Sequence, residues 1–348
     1  MIKSLTSLRF IVAFVVFLFH CRFHFDWKVG LKVVDDLILN GATFMTGFFV
    51  LSGFIMSHVY GHTDFSSREN IFHFYLKRFA KIYPTYALST IIYFIFLHDF
   101  TFNQMSLVFV NDPFLVQGFF RNMFDIGING GTWSLTVEIF LYFLFPFLIL
   151  LSAKSPKLLI GSLLIALITS FNSFTNQSES ITDIYANPVF RVADFMCGMG
   201  FYSLKEKFKY IKFGKLLHLV VVISLLCACG VLGKAPYMFG QFVIIPLFGI
   251  WIVMVYHSNS RIYNNKAFVY FGSISYSFYL YQFISMETGK RLTRAYPDLS
   301  LGYVFLAVLA VSFAVSALSY HLWEERMRKL ILLRYSRKAS DNCNPLCQ

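Results

Sequence analysis

The chain alternates between long apolar runs and short polar connections over nearly its whole length. An apolar run of about 20 residues is long enough to cross the hydrocarbon core of a bilayer as one helix. Ten runs approach or reach that length, and we predict transmembrane helices at 7–25, 38–60, 80–98, 132–152, 157–174, 186–204, 214–233, 237–257, 266–286 and 299–322. The pattern therefore predicts an all-α polytopic membrane protein with about ten transmembrane helices.

The composition excludes most other classes of protein. Of the 348 residues, 57% are hydrophobic and only 14% are charged, against roughly 25% charged residues in ordinary soluble domains. The core of one soluble domain of this size is too small to cover 43 Phe and 20 Tyr side chains. A soluble enzyme, a disordered chain and a secreted disulfide scaffold are therefore excluded.

The chain reads as a single membrane domain. We see no Pro-, Gly- or Ser-rich linker and no tandem repeat, so we predict a membrane domain over 1–330 and a short polar cytoplasmic tail over 331–348. The first apolar run could be mistaken for a signal peptide. No small-residue cleavage site follows it, so we predict an uncleaved first span.

The charge distribution predicts the orientation in the membrane. If the N-terminus is cytoplasmic and there are ten spans, 21 of the 30 Lys and Arg residues lie on the inner side and nine on the outer side. Basic residues are enriched in cytoplasmic loops, so this split favours two cytoplasmic termini. The same bias accounts for the net charge of +12, and we therefore predict no nucleic-acid partner.

Two ionisable residues in the first span are candidates for function. Arg9 and His20 are eleven positions apart, which is three helical turns plus about 20° and roughly 16 Å along the axis. Both side chains are therefore predicted to share one face, with Arg9 near the cytoplasm and His20 in the outer third. The alternatives are an Arg9 side chain that extends to the inner headgroups and an interfacial His20 hydrogen-bonded to a neighbour.

The fourth span contains Glu138, the only acidic residue well inside an otherwise apolar run. Its predicted depth is compatible with that of His20. A carboxylate paired with His20 can orient the imidazole and raise its basicity. The alternative is a structural Glu138 bonded to a neighbouring tyrosine or to the backbone.

A basic group begins the third span, at Lys77, Arg78 and Lys81. It is predicted to lie on the same membrane side as Arg9. Convergent basic side chains suit an anionic ligand that carries phosphate. The alternative is a cluster that anchors the helix by the positive-inside rule.

Arg191 and Asp194 stand three positions apart at the outer start of the sixth span. This spacing on a helix favours a local ion pair. The second interpretation is contact with a polar acceptor that enters from outside. The sequence leaves both open.

The cysteines do not predict a metal site. Cys227 and Cys229 are separated by one residue, and Cys343 and Cys347 lie in the tail. Neither pair has histidine or carboxylate partners at the spacing that zinc sites use. We therefore predict no metal ligands.

Taken in order, these residues resemble the acyltransferase-3 family of integral membrane O-acyltransferases. Each motif is weak by itself, and the ordered set is specific. The segments that carry the resemblance are 5–9 with His20, 47–54, 74–84, 133–138, 191–195 with Gly198, 274–280 and 319–324. One departure is Gln282, where many members have histidine, so no role of that histidine is carried over.

The resemblance implies transfer of an acyl group, commonly acetyl from acetyl-CoA, to a hydroxyl group. For bacterial members the usual acceptors are cell-surface sugars, such as lipopolysaccharide O-antigen or its lipid-linked precursor. It implies a multi-pass enzyme of the bacterial inner membrane. Some relatives carry a fused hydrolase-like domain, and because only a short tail follows the last predicted span, we expect the stand-alone type here. Acyl-CoA is then the donor substrate, and no bound cofactor is expected.

The resemblance and the residues together give a set of predicted roles. His20 is the general base that Glu138 orients, or alternatively a nucleophile that forms an acyl-histidine. The other roles are donor binding by Arg9, Lys77 and Arg78, and acceptor binding by Trp133, Ser134, Arg191 and Asp194.

Two other functions remain open from the sequence. One is a carrier or flippase for a glycan or a small anion, with Arg9, Glu138 and Arg191 along its pathway. Ten spans fit a carrier equally well, but we see no inverted repeat of the kind many carriers have. The other is a non-catalytic scaffold in a glycan-assembly complex.

Overall fold

The computed structural model describes residues 2–96, 112–120, 129–152, 157–175, 185–209, 214–232 and 240–342. Within these ranges the regular structure is entirely helical, and each of the ten predicted apolar runs overlaps an α-helix. In chain order the helices are α1 (Lys3–Phe25), α2 (Lys32–Leu39), α3 (Phe44–Tyr60), α4 (Arg68–Phe96), α5 (Trp133–Ser152), α6 (Lys157–Thr175), α7 (Val192–Phe208), α8 (Lys215–Leu232), α9 (Gln241–Tyr256), α10 (Lys266–Ala295), α11 (Leu301–Ser319) and α12 (Glu325–Asn342). The predicted all-α class is confirmed for this part of the chain.

Several helices in the described ranges have the length and composition of membrane spans. Four stretches are long and apolar enough to cross a membrane: Lys3–Phe25, Gly41–Tyr60, Trp133–Leu151 and Leu301–Ser336. Three shorter apolar helices are Lys157–Thr169, Lys215–Val231 and Gln241–Tyr256. These features support a multi-pass membrane protein, while the ten-span topology and the cytoplasmic termini stay predictions.

Two helices extend beyond the apolar runs that predicted them. Helix α4 begins at Arg68 instead of near residue 80, and α10 continues to Ala295 instead of ending near residue 286. Hydropathy marks only the apolar part of a helix. The backbone hydrogen bonds continue through polar turns at its ends because they do not depend on side-chain polarity.

Glycines allow α3 and α7 to pack at very short range. A side chain at Gly53 would overlap the carbonyl oxygen of Phe195, and one at Gly198 would overlap the carbonyl oxygen of Val50. Within a membrane, apolar burial does not drive helices together. Small residues let two helix backbones approach closely, so that the helices associate through van der Waals packing. Helices α1 and α10 form a second close pair, in which the Phe17 and Phe278 rings lie 5.2 Å apart.

The last apolar helix continues through a π-turn, Tyr320–Glu324, directly into α12. Helix α12 packs against the start of α4, where the Tyr335 ring lies 5.4 Å from Phe72 and 5.0 Å from His73. The domain boundary predicted at residue 330 falls inside α12. Residues 331–342 of the predicted polar tail are therefore helical, and residues 343–348 lie outside the described ranges.

Candidate active site

Five helices surround one cavity in the described part of the molecule. Helices α1, α3, α4, α5 and α10 all contribute to its wall. Its charged and polar lining side chains include Arg9, Ser52, Arg78, Lys81, Ser134, Glu138 and Tyr142. The cavity therefore brings together basic and acidic residues that the sequence predicted as parts of separate spans.

The Arg9 and Arg78 guanidinium groups face this cavity without a carboxylate partner among the described residues. Arg78 donates a hydrogen bond from Nη2 to the Tyr60 hydroxyl at 3.0 Å, and its Nε is buried with no acceptor. The Arg78 guanidinium also lies over the Tyr60 and Tyr142 rings, at 5.3 and 5.7 Å from their centroids. Two such groups in one cavity are suited to bind an anion.

Lys81 also lines the cavity, and it has a counter-ion of its own. Its ammonium group forms an ion pair with Glu324, whose side chain is completely buried. Glu324 ends the segment 319–324 that contributes to the family resemblance, but its sequence position predicted no role for it. The available signal was a carboxylate directly at the end of the last apolar run, but its partner is 243 positions away in the chain.

The predicted pairing of Glu138 with His20 is wrong. Among the described residues Glu138 accepts a hydrogen bond from the Tyr142 hydroxyl, one turn further along α5. Tyr142 in turn accepts a hydrogen bond from Ser52 Oγ at 3.2 Å. The alternative, a Glu138 bonded to a neighbouring tyrosine, is therefore the observed arrangement. Positions four apart share one helix face, whereas equal depth in two helices does not determine whether two side chains face each other.

His20 lies outside the cavity wall. Its ring contacts Phe283 at 4.6 Å between centroids and His24 at 5.9 Å, and its Nδ1 is buried without a hydrogen-bond partner. Phe283 follows the cavity-lining Tyr279 by one turn of α10. Of the two residues predicted to share a face of α1, only Arg9 lines the cavity, and Phe283 packs against His20.

Ser134 is the predicted acceptor-binding residue that does line the cavity. Its hydroxyl lies 2.9 Å from the Tyr279 hydroxyl, and Tyr279 donates a hydrogen bond to the Gly131 carbonyl oxygen at 2.8 Å. Trp133 is buried instead against Tyr185, with 4.8 Å between the ring centroids. The start of α5 thus presents Ser134, and not Trp133, to a molecule in the cavity.

Lys77 does not contribute to this cavity. Its side chain is exposed, although Arg78 is the next residue along α4. Successive residues on a helix are separated by 100° around the axis. Donor binding by Lys77 therefore stays a prediction, and its exposed position fits the alternative of a membrane-surface anchor.

Arg191 and Asp194 form the local ion pair that their spacing indicates. Arg191 Nη1 lies 3.2 Å from Asp194 Oδ2, and both side chains are completely buried. Arg191 also donates hydrogen bonds to the Tyr185 carbonyl oxygen at 2.8 Å and to Thr46 Oγ1 at 3.2 Å. Neither side chain presents a surface to an entering acceptor here, so the pair connects α3 with the start of α7.

We expect Arg191→Ala to destabilise the protein by about 3–5 kcal/mol, because it leaves the buried Asp194 carboxylate without its cation. Arg191→Met combined with Asp194→Leu should recover much of this loss, since it removes both buried charges. Thermal unfolding in detergent measures the effect. The control is Arg291→Ala, which removes a more exposed ion pair with Glu287 and should cost about 0–1 kcal/mol. Equal losses in the two single variants would contradict a structural role for the buried pair.

Comparison with known proteins supports an acyl-transfer function. The family model described as an acyltransferase domain matches residues 2–321. The acyltransferase MdmB of Streptomyces mycarofaciens is 24% identical over 375 residues, a match that covers 95% of this chain and 92% of that protein. No solved structure matches the chain significantly. Since the family match covers nearly the whole chain, including all five helices that form the cavity, this chain belongs to the acyltransferase-3 family.

Proposed function

We propose that this acyltransferase moves an acetyl group from cytoplasmic acetyl-CoA to a hydroxyl of a cell-surface glycan. The observation that carries the proposal is the pair of guanidinium groups, Arg9 and Arg78, that line one cavity without a carboxylate partner among the described residues. Guanidinium groups bind phosphate through charge-assisted, often bidentate, hydrogen bonds. CoA carries phosphates, so this cavity is its proposed binding site.

The proposed orientation places the donor site toward the cytoplasm. The excess of Lys and Arg on one side of the predicted topology supports ten spans with both termini inside. Arg9 is then near the cytoplasmic end of α1, and His20 lies about 16 Å further out. This separation is comparable to the reach of an extended pantetheine arm. The thioester can therefore approach His20 while the CoA phosphates stay at the inner end.

In the proposed reaction His20 accepts the proton of the glycan hydroxyl as that oxygen attacks the thioester carbonyl. A C–O bond forms, the C–S bond breaks, and the CoA thiolate receives the proton from His20. Because Phe283 packs on the His20 ring, the proposed route of the thioester passes Phe283. In the alternative mechanism His20 first takes the acyl group itself.

Glu138 has a different place in this proposal from the one its sequence position predicted. Its carboxylate lines the cavity and accepts the hydrogen bond from Tyr142. A catalytic role of Glu138 therefore requires contact with a molecule in the cavity. It does not act by orienting His20, whose nearest ring neighbours are aromatic side chains.

The proposed acceptor is lipopolysaccharide O-antigen or its lipid-linked precursor, and the proposed location is the bacterial inner membrane. The family match and the apolar helices support an acyltransferase in a membrane. The glycan acceptor and the inner membrane are proposed from what the resemblance implies for bacterial members. A glycan assembled on the outer face presents its hydroxyl groups on the side where His20 is placed. Donor and acceptor then meet within the protein without transfer of CoA across the bilayer.

Purified protein incubated with labelled acetyl-CoA and a glycan acceptor tests the proposal. The expected result is acetylated glycan together with an equal amount of free CoA. A carrier would move label across a vesicle membrane without releasing CoA, and a scaffold would do neither. Folded protein that releases no CoA with any surface glycan would contradict the proposal. Mass spectrometry of the surface polysaccharide with and without the gene identifies the acceptor.

A further inference from the structure

The π-turn at Tyr320–Glu324 places one carboxylate inside the molecule and the next one outside. Glu324 is 1% exposed, whereas the neighbouring Glu325 forms a partly exposed ion pair with Arg328 at 2.9 Å. A π-turn holds one residue more than an α-turn and often occurs at functional sites. The extra residue changes the helical register at the point where Glu324 faces inward.

Both oxygens of the buried Glu324 carboxylate are bonded. One forms the ion pair with Lys81 of α4, and the other accepts a hydrogen bond from Ser277 Oγ of α10 at 2.6 Å. The adjacent Trp323 donates its indole N–H to the Pro84 carbonyl oxygen of α4 at 2.8 Å. The π-turn is therefore held against α4 at Lys81 and, three residues further on, at Pro84.

Lys81 is the member of this group that reaches the cavity. Its side chain is 27% exposed and lines the cavity beside Arg9 and Arg78. A lysine ammonium has three N–H donors, and its hydrogen bond among the described residues goes to Glu324. The remaining donors are available to an acceptor that enters the cavity.

We propose that Glu324 is a positioning residue of the donor site. It holds the Lys81 ammonium at the cavity wall, so that Lys81 binds the phosphate groups of acyl-CoA together with Arg9 and Arg78. A side chain ordered in advance loses less conformational entropy when its ligand binds. The assignment rests on the proposed function, because it takes acyl-CoA as the molecule in the cavity.

The competing explanation is purely structural, since Glu324 also joins the last helix to α4. The two roles predict different effects of the same substitution. A structural role predicts less folded protein, while the folded fraction keeps its KM for the donor. A positioning role predicts a raised KM in protein that is folded.

The test compares Glu324→Gln, Lys81→Met, the double variant and Glu325→Gln in the full-length protein in detergent. Glutamine keeps the size of Glu324 and one acceptor oxygen, but it removes the charge and replaces the second oxygen by an NH2 donor. We expect Glu324→Gln and Lys81→Met each to raise the KM for acetyl-CoA about tenfold, the equivalent of one lost charge-assisted contact, with a smaller change in kcat. The double variant should be no worse than Lys81→Met. Glu325→Gln, the matched control one residue further on, should leave KM unchanged.

Three results separate the possible failures. If wild-type protein transfers acetyl and folded Glu324→Gln keeps its KM, the positioning role is overturned and the proposed function stands. Multiplied effects in the double variant would also overturn it, since they would show that the two residues act independently. If wild-type protein neither binds CoA in a thermal-shift measurement nor releases it from acetyl-CoA, both the proposed function and this assignment fail.

If Glu324→Gln does not fold, Ser277→Ala replaces it in the test, because it removes only the second hydrogen bond of Glu324. We expect Ser277→Ala to raise KM by a smaller factor. An unchanged KM would overturn the assignment.

Discussion

Alanine in place of His20 is expected to lower the rate of acetyl transfer by about 10²- to 10⁴-fold, the usual contribution of a general acid–base group. The KM for acetyl-CoA should change little, because His20 lies outside the wall of the cavity that contains Arg9 and Arg78. Steady-state kinetics with labelled acetyl-CoA and a glycan acceptor measure both quantities. His20 Nδ1 is buried and has no hydrogen-bond partner. Replacing His20 by alanine therefore breaks no hydrogen bond at this atom.

His24→Ala is the matched control for this substitution. His24 lies one turn further along α1 and contacts the same Phe283 ring, at 5.7 Å between centroids. We expect it to retain most of the activity. Normal acetylation by folded His20→Ala protein, or equal losses in both variants, would contradict the catalytic assignment of His20.

The same variant distinguishes the two mechanisms proposed for His20. If an acyl-histidine forms, wild-type protein should retain label from acetyl-CoA when no acceptor is present, and His20→Ala should not. If His20 is a general base, neither protein retains label. Rapid quenching followed by mass spectrometry of the peptide that contains residue 20 reads out the difference.

The second large effect is expected for the cationic wall of the cavity. Arg9→Ala and Arg78→Ala should each weaken binding of acetyl-CoA about 10- to 100-fold, because a hydrogen bond to a charged group contributes roughly 1.5–3 kcal/mol. The loss should appear in KM and in the Kd for CoA, with a smaller change in kcat. Arg78→Lys keeps the charge but removes the bidentate geometry, so an intermediate loss is expected.

Arg68→Ala provides the control for Arg78→Ala. Both arginines are in α4, but the Arg68 side chain is exposed and lies outside the cavity wall. Its replacement should therefore leave KM unchanged. If Arg9→Ala and Arg78→Ala both kept the wild-type Kd for CoA, the cavity would not be the donor site.

The positions of the helices could be predicted because hydropathy over about 20 residues is a local property of the chain. The extension of α4 back to Arg68 and the short α2 were missed for the same reason, since these segments are too polar or too short for that signal. The spacing of Arg191 and Asp194, three positions apart, is also a local property of the chain. The ion pair that this spacing predicts is present in the structure.

The arrangement of the site was only partly predictable. Residues of the right chemistry, Arg9, Arg78, Ser134 and Glu138, were identified, and the structure places all four on one cavity. Their partners were not identified, because a partner depends on how each helix is rotated about its axis. Glu138 bonds to Tyr142 instead of His20, although the two predicted depths were compatible.

The amino-acid sequence thus determined that the chain is helical and apolar, which residues carry charge inside it, and the family to which it belongs. Tertiary structure decided which of those charges meet. Lys81 and Glu324 are 243 positions apart in the chain, and the packing of the π-turn against α4 brings them together. Such contacts depend on helix rotation and packing over long separations in the chain, and local patterns of polarity carry no information about either.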